Sequence, residues 1–155
     1  MPGARRQIER RRLTIRNTGF DNVQGDDIIH TADDAKTLIR IKGSLWVYTN
    51  TEILSEVFGD MVFHIKPAGQ AVVTPTVTAA EDQVVPLQEL FRIPTMVERT
   101  LNASPEPEWG IPQYFEFDTK VQRKMKKNDE LVLSHLTTSS LDCSIFGHVY
   151  AWFKE

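Results

Sequence analysis

The chain has 155 residues, a formal net charge of −3, 41% hydrophobic residues and 25% charged residues. That length suits a single domain with a real core, and that composition excludes global disorder. No run of about 18 apolar residues occurs, so no helix is expected to span a membrane, and no apolar stretch follows the charged start as in a secretion signal.

Charge is unevenly placed. Residues 1–16 carry six arginines and one glutamate, or +5, which leaves −8 for the remainder. A basic leader on an acidic body suggests a polyanionic partner for the leader alone. Arginine stays charged and contacts phosphate bidentately, so Arg5, Arg6, Arg10, Arg11, Arg12 and Arg16 are candidate nucleic-acid-binding residues. A solvated tail or a basic helix is the plainer alternative, and "RRQIERRR" is also compatible with a nuclear-import signal. The expected organisation is a basic arm over residues 1–16 and one β-domain over 17–155, with residues 1–12 removable without harm to the fold.

"TIRN" and "DDIIHT" offer a further strand, while Asp26, Asp27, Asp33 and Asp34 read as loop and turn acids. Paired carboxylates of this kind could instead hold a hard cation such as calcium, but no metal site is assigned. "KTLIRIKGSLWVYTN" alternates Ile39, Ile41, Leu45 and Val47 against Arg40, Lys42, Ser44, Trp46 and Tyr48, a strand pattern with Gly43 expected at a bend or bulge. "MVFHIK" repeats the theme and ends at the turn residues Pro67 to Gly69. "QAVVTPTVT" reads as an edge segment because Pro75 lacks a donor, and Pro86 followed by "LQELFR" predicts one or two helical turns that Pro94 stops. "NASPEPEWGIP" is a loop by composition, and Asn102 begins an idle glycosylation sequon.

"YFEFDTKVQRKM", "KKND" and "ELVLSHL" predict a strand, a turn and a partner strand in a hairpin. The basic cluster Lys120, Arg123, Lys124, Lys126 and Lys127 joins the candidate nucleic-acid-binding residues; flanking acids make a solvated or intersubunit salt-bridged strand the alternative. The closing "CSIFGHVYAWFK" is apolar or aromatic on both faces, so it is expected to sit centrally or under another subunit. Cys143 has no partner for an internal disulfide and reads as a small buried hydrophobe. The four histidines have no metal-ligand spacing, and no catalytic or cofactor signature occurs, so neither enzyme activity nor a cofactor is expected. Regular turns and scarce helix indicate an all-β antiparallel sandwich or barrel.

Thr37 to Gly43 ("TLIRIKG"), then Asp118, Thr119, Lys120, Arg123, Lys124, Asp129 and Leu131 in "FEFDTKVQRKMKKNDELVL", with the closing "GHVYAWFK", carry a resemblance. The chain resembles the single jelly-roll capsid proteins of small circular single-stranded DNA viruses and their uncultured relatives, over about a third of its length. Asn128 stands where that pattern more usually has glycine, which a left-handed turn tolerates. The resemblance implies an antiparallel eight-stranded jelly-roll sandwich, an inward basic arm, and many copies closing an icosahedral shell around single-stranded nucleic acid, DNA by the family's habit. It implies residence in a virion, with passage through a host nucleus before assembly, and no membrane partner. A jelly-roll carbohydrate- or receptor-binding module presenting Trp46, Trp109 or Trp152 is the alternative, and a cupin-type enzyme a third.

Overall fold

The structure is a computed structural model that describes residues 6–17, 24–49, 52–53, 57–71, 88–97, 108–109, 112–137 and 143–155. Within them run β1 (Arg6–Asn17), β2 (Gln24–Thr31), β3 (Lys36–Thr49), β4 (Glu52–Ile53), β5 (Val57–Lys66), β6 (Glu89–Val97), β7 (Glu108–Trp109), β8 (Gln113–Met125), β9 (Glu130–Thr137) and β10 (Cys143–Lys154). The eight long strands make two four-stranded antiparallel sheets, in the orders β1-β10-β3-β8 and β2-β9-β5-β6. We call them sheets A and B; β4 and β7 pair separately. Along the chain the long strands pass from sheet to sheet, except for the β5–β6 pair, and this wrapping of one sheet over the other is a jelly-roll sandwich.

Period-two patterning explains the layers. In β3, Leu38, Ile41, Leu45 and Val47 are buried, and β10 answers with Ile145, Val149, Ala151 and Phe153. From sheet B, Met61, Phe63, Ile65, Leu131 and Leu133 complete the core. At about 25 cal/mol per Å² of apolar surface removed from water, this shared interior is the main force holding the sheets together. An irregularity between Leu38 and Arg40 shifts the inward phase of β3, so Ile39 leaves the apolar row and Leu38 replaces it. Gly43 is not at that bulge. A Cβ there would lie 2.6 Å from the His148 carbonyl oxygen and 2.7 Å from the Phe117 ring, so close strand approach explains the glycine.

Four further expectations are corrected. Residues 6–17 are not an arm outside the domain: β1 pairs with β10 from Arg6 opposite Lys154 to Asn17 opposite Cys143. Its alternation in sequence, with Leu13 and Ile15 at the register of Gly147 and Ile145, makes it strand-competent despite its charge. β8 and β9 are not a hairpin but edge and interior strands of different sheets. β9 is apolar on both sides (Leu131, Val132, Leu133, Leu136) and takes neighbours on both edges, whereas alternating β8 suits an edge. The turn between them does need Asn128 in the left-handed region, at φ 68°. Asp129 fastens that turn by accepting from the Lys126 N–H at 2.8 Å and the Ala68 N–H at 3.0 Å. Residues 89–97 form β6 in place of helical turns, with Pro94 tolerated because β6 is an edge. Asp26 and Asp27 belong to β2, not to a loop. β10 is interior to sheet A, as its composition indicates. "QAVVTPTVT" beyond Ala71, Asn102, Arg5 and the side chains of Arg6, Arg10, Arg11, Arg12, Arg16, Cys143 and Trp109 lie outside the described residues.

Candidate nucleic-acid interface

Directly opposed residues of antiparallel strands share a face, so the register of sheet A defines its outer surface row by row. One row runs Ile8, Trp152, Arg40, Lys120; the next Arg10, Tyr150, Lys42, Asp118; then Arg12, His148, Ser44, Glu116; then Thr14, Phe146, Trp46, Tyr114. Beyond the first, Arg6, Lys154, Thr37 and Lys124 share a row; beyond the last, Arg16 aligns with Ser144 and Tyr48. This face therefore holds the positions of nine arginines and lysines against two carboxylates, Glu116 and Asp118. With 18 basic and 21 acidic residues in the chain, the face is +7 and everything else −10.

Aromatic rings interleave with the cations. Trp46, Tyr114 and Phe146 are 40%, 47% and 42% exposed, an unusual concentration of uncovered rings. Trp46 lies between the other two, 4.9 Å from Tyr114 and 6.5 Å from Phe146 by centroid, nearly parallel to the latter at 11°. The Arg40 guanidinium covers Trp152 at 4.8 Å, a cation–π contact that fixes one cation in place. Arg40 also forks onto Asp118, its Nε donating to Oδ1 at 2.7 Å and its Nη2 to Oδ2. That hydrogen-bonded pairing lowers the Asp118 pKa and raises that of Arg40, so the pair stays ionised. The Tyr114 hydroxyl donates to Glu116 Oε1 at 2.7 Å, and that bond raises its pKa.

Between these groups lies an open depression of about 450 Å³, lined by Lys42, Ser44, Tyr114, Glu116, Asp118 and Tyr150. The hollow's own lining sets one lysine against two carboxylates, so its tyrosine rings suit stacking of a planar base while phosphate attraction comes from the cations around it.

The residues singled out from sequence are divided by this geometry. Lys120 and Lys124 fall on the outer face, and the backbone positions of Arg6, Arg10, Arg12 and Arg16 align with outward residues of β10. Arg11 takes the register position of Val149, and Arg123 lies on the inward side opposite Leu38. Lys126 and Lys127 are exposed in the turn at one end of the sandwich, and Arg5 lies outside the described residues. β1 and β8 are opposite edges of one sheet, so the two basic clusters flank a single surface. Sequence inspection missed what fills the middle: Arg40, Lys42, Tyr150, Lys154 and the Trp46 row. The even positions of "RIKGSLW" held the signal, since the mixed face of β3 is itself basic and aromatic.

Other polar clusters lie elsewhere. On sheet B the buried His64 Nε2 and Ser134 Oγ are 2.8 Å apart, and the Ser134 hydroxyl donates to Asp26 Oδ1 at 2.5 Å. Serine stands between histidine and aspartate here, whereas nucleophilic catalysis needs histidine in the middle. Burial lowers the His64 pKa, against the attraction of Asp26 and Glu89. Among the described residues no group of three or more His, Cys, Asp or Glu side chains could hold a metal ion.

No protein-family model matches the chain, and no curated protein does. Among solved structures it is similar to the Eiger TNF from S. frugiperda, at 11% identity and a TM-score of 0.40, over 93% of this chain and 92% of that one. It is also similar to a chain of infectious bursal disease virus, Gx strain, at 11% identity and a TM-score of 0.26; there 98% of this chain spans 40% of the other.

Proposed function

We propose that this protein is a viral capsid protein that assembles into a closed icosahedral shell and packages single-stranded nucleic acid, DNA in the first instance, against the outer face of sheet A. One observation carries the reading: a chain of net charge −3 gathers nine cationic positions onto one sheet face beside three uncovered aromatic rings. A shell needs phosphate attraction on its cargo side and a soluble remainder, and the +7 face against the −10 remainder supplies that division. Unpaired bases stack on exposed rings, which paired bases cannot do, so the rings favour a single strand. The jelly roll is a common shell architecture, and the resemblance in Thr37–Gly43 and the β8–β9 segment points the same way. The proposed location is the virion.

Electron microscopy of the purified full chain tests the assembly: uniform round shells support it, and small discrete oligomers in every buffer contradict it. Binding is tested with a fluorescent oligothymidylate. Trp46→Ala is expected to weaken binding about tenfold, in line with ~1–3 kcal/mol per stacked base, while duplex binding stays unchanged. Equal loss for both forms contradicts a stacking role.

A further inference from the structure

The two sides of the sandwich differ. On the β1/β2 side His30 links the sheets, its Nδ1 3.6 Å from Glu9 Oε2 and its ring 4.3 Å from Phe153. On the β6/β8 side six apolar side chains, Leu90, Phe91, Ile93, Phe115, Phe117 and Val121, pack against the core while only partly buried. β8 is also the edge of sheet A, a 13-residue strand paired by β3 on one side and by no described strand on the other. Long edges with half-covered apolar residues are templates for strand addition.

We infer that β8 pairs antiparallel with β8 of a second copy of this chain, about a twofold axis through Thr119. Thr119 is the midpoint of β8, so this axis pairs the strand along its whole length, and the charge order suits the pairing. With Thr119 opposite itself, Asp118 faces Lys120 of the second copy, Glu116 faces Gln122, and Tyr114 faces Lys124. On the inward side Phe117 faces Val121, apolar against apolar, while Phe115 faces Arg123, whose aliphatic stem can lie along the ring. Moving the axis to Lys120 sets two lysines against each other, and moving it to Asp118 sets two aspartates together. The axis at Thr119 repeats the Asp118–Lys120 attraction twice and opposes no like charges. It also joins two outer faces of sheet A into one eight-stranded basic and aromatic platform.

This deepens the self-assembly part of the proposed function and does not depend on nucleic acid. The test uses nuclease-treated full-length protein at about 0.1 M salt, where exposed charge pairs are not fully screened. Thr119→Cys is expected to give a covalent dimer under mild oxidation, with a 119–119 disulfide by peptide mapping, because opposed Cα atoms lie ~4.5–5.5 Å apart, within disulfide reach. Gln122→Cys should not, since its equivalent in the second copy would be six residues along the strand, ~20 Å away. Lys120→Glu sets carboxylates opposite each other and should weaken dimerisation about tenfold, and adding Asp118→Lys should restore it. Absence of the 119–119 disulfide, or equal cross-linking by Gln122→Cys, overturns the inference. Shells without that cross-link would refute this contact and leave the shell reading standing; cross-linked dimers that never form shells would support the contact and refute the shell.

Discussion

His135 lies wholly enclosed in β9, and burial alone pulls its pKa down to about 3. His64 is lowered chiefly by burial, and His30 by burial and then by Lys36, whose Nζ lies 3.3 Å from its Nε2. Each is harder to protonate in the folded protein than in the unfolded chain, which takes up protons below about pH 6.5. The stability they contribute is therefore fully present above that pH and falls as pH drops through their lowered folded values. Between about pH 6.5 and its folded value of about 3, His135 alone costs about 1.4 kcal/mol per pH unit. Urea unfolding at pH 7 and pH 5 should show a marked loss at the lower value, and His135→Gln should flatten it; equal stability at both would contradict the assignment. Asp60, also buried, accepts from Arg92 Nη1 at 3.1 Å, and Arg92 Nη2 reaches Glu89 Oε1 at 2.6 Å. Arg92→Ala is expected to cost about 3 kcal/mol by withdrawing the arginine from an enclosed carboxylate; a change under about 1 kcal/mol would show that Asp60's other contacts suffice. Sequence alone gave these histidines no metal-ligand spacing, and it cannot show which of them a sheet encloses.

At the scale of elements, the chain's period-two alternation placed β3, β5, β8 and β10 correctly, because each exposes one face to the core. Two features escaped it. The β8–β9 turn has hairpin chemistry, with Asn128 left-handed, yet joins different sheets, since sheet membership depends on partners far away in sequence. β1 was hidden by its arginines: six charges in twelve residues resemble a tail until β10 supplies a partner. The consequence is testable. Removing residues 1–5 should leave thermal stability unchanged, whereas removing 1–12 strips β10 of its pairing from Lys154 to His148 and should lower stability by several kcal/mol. An unaltered melting temperature in the longer truncation would restore the arm interpretation. Gly147 shows a similar long-range constraint, at φ 147° with a Cβ position 2.2 Å from the Ser44 carbonyl oxygen. Gly147→Ala should therefore destabilise by at least 1–3 kcal/mol in the same assay, the range for overpacking, and no loss would mean β3 and β10 separate easily.

For the whole molecule, the sequence disclosed a charge imbalance but assigned it to the wrong unit. Positive charge is gathered on one face of a single sandwich, because β1 and β8 flank β10 and β3, whose outward positions are themselves basic. Only the strand order makes Lys42 and Tyr150 neighbours of Arg10, and no spacing in the sequence encodes that order. The central claim is that this face meets phosphate, and the salt dependence of single-stranded oligonucleotide binding tests it most directly. Affinity should fall linearly on a log–log plot, by about 0.7 per phosphate contact. The Lys42→Glu, Lys124→Glu pair should flatten that slope by more than one, and Lys126→Glu, Lys127→Glu, at the end of the sandwich, should leave it within error. A slope that responds equally to both pairs, or binding indifferent to salt, would contradict the account.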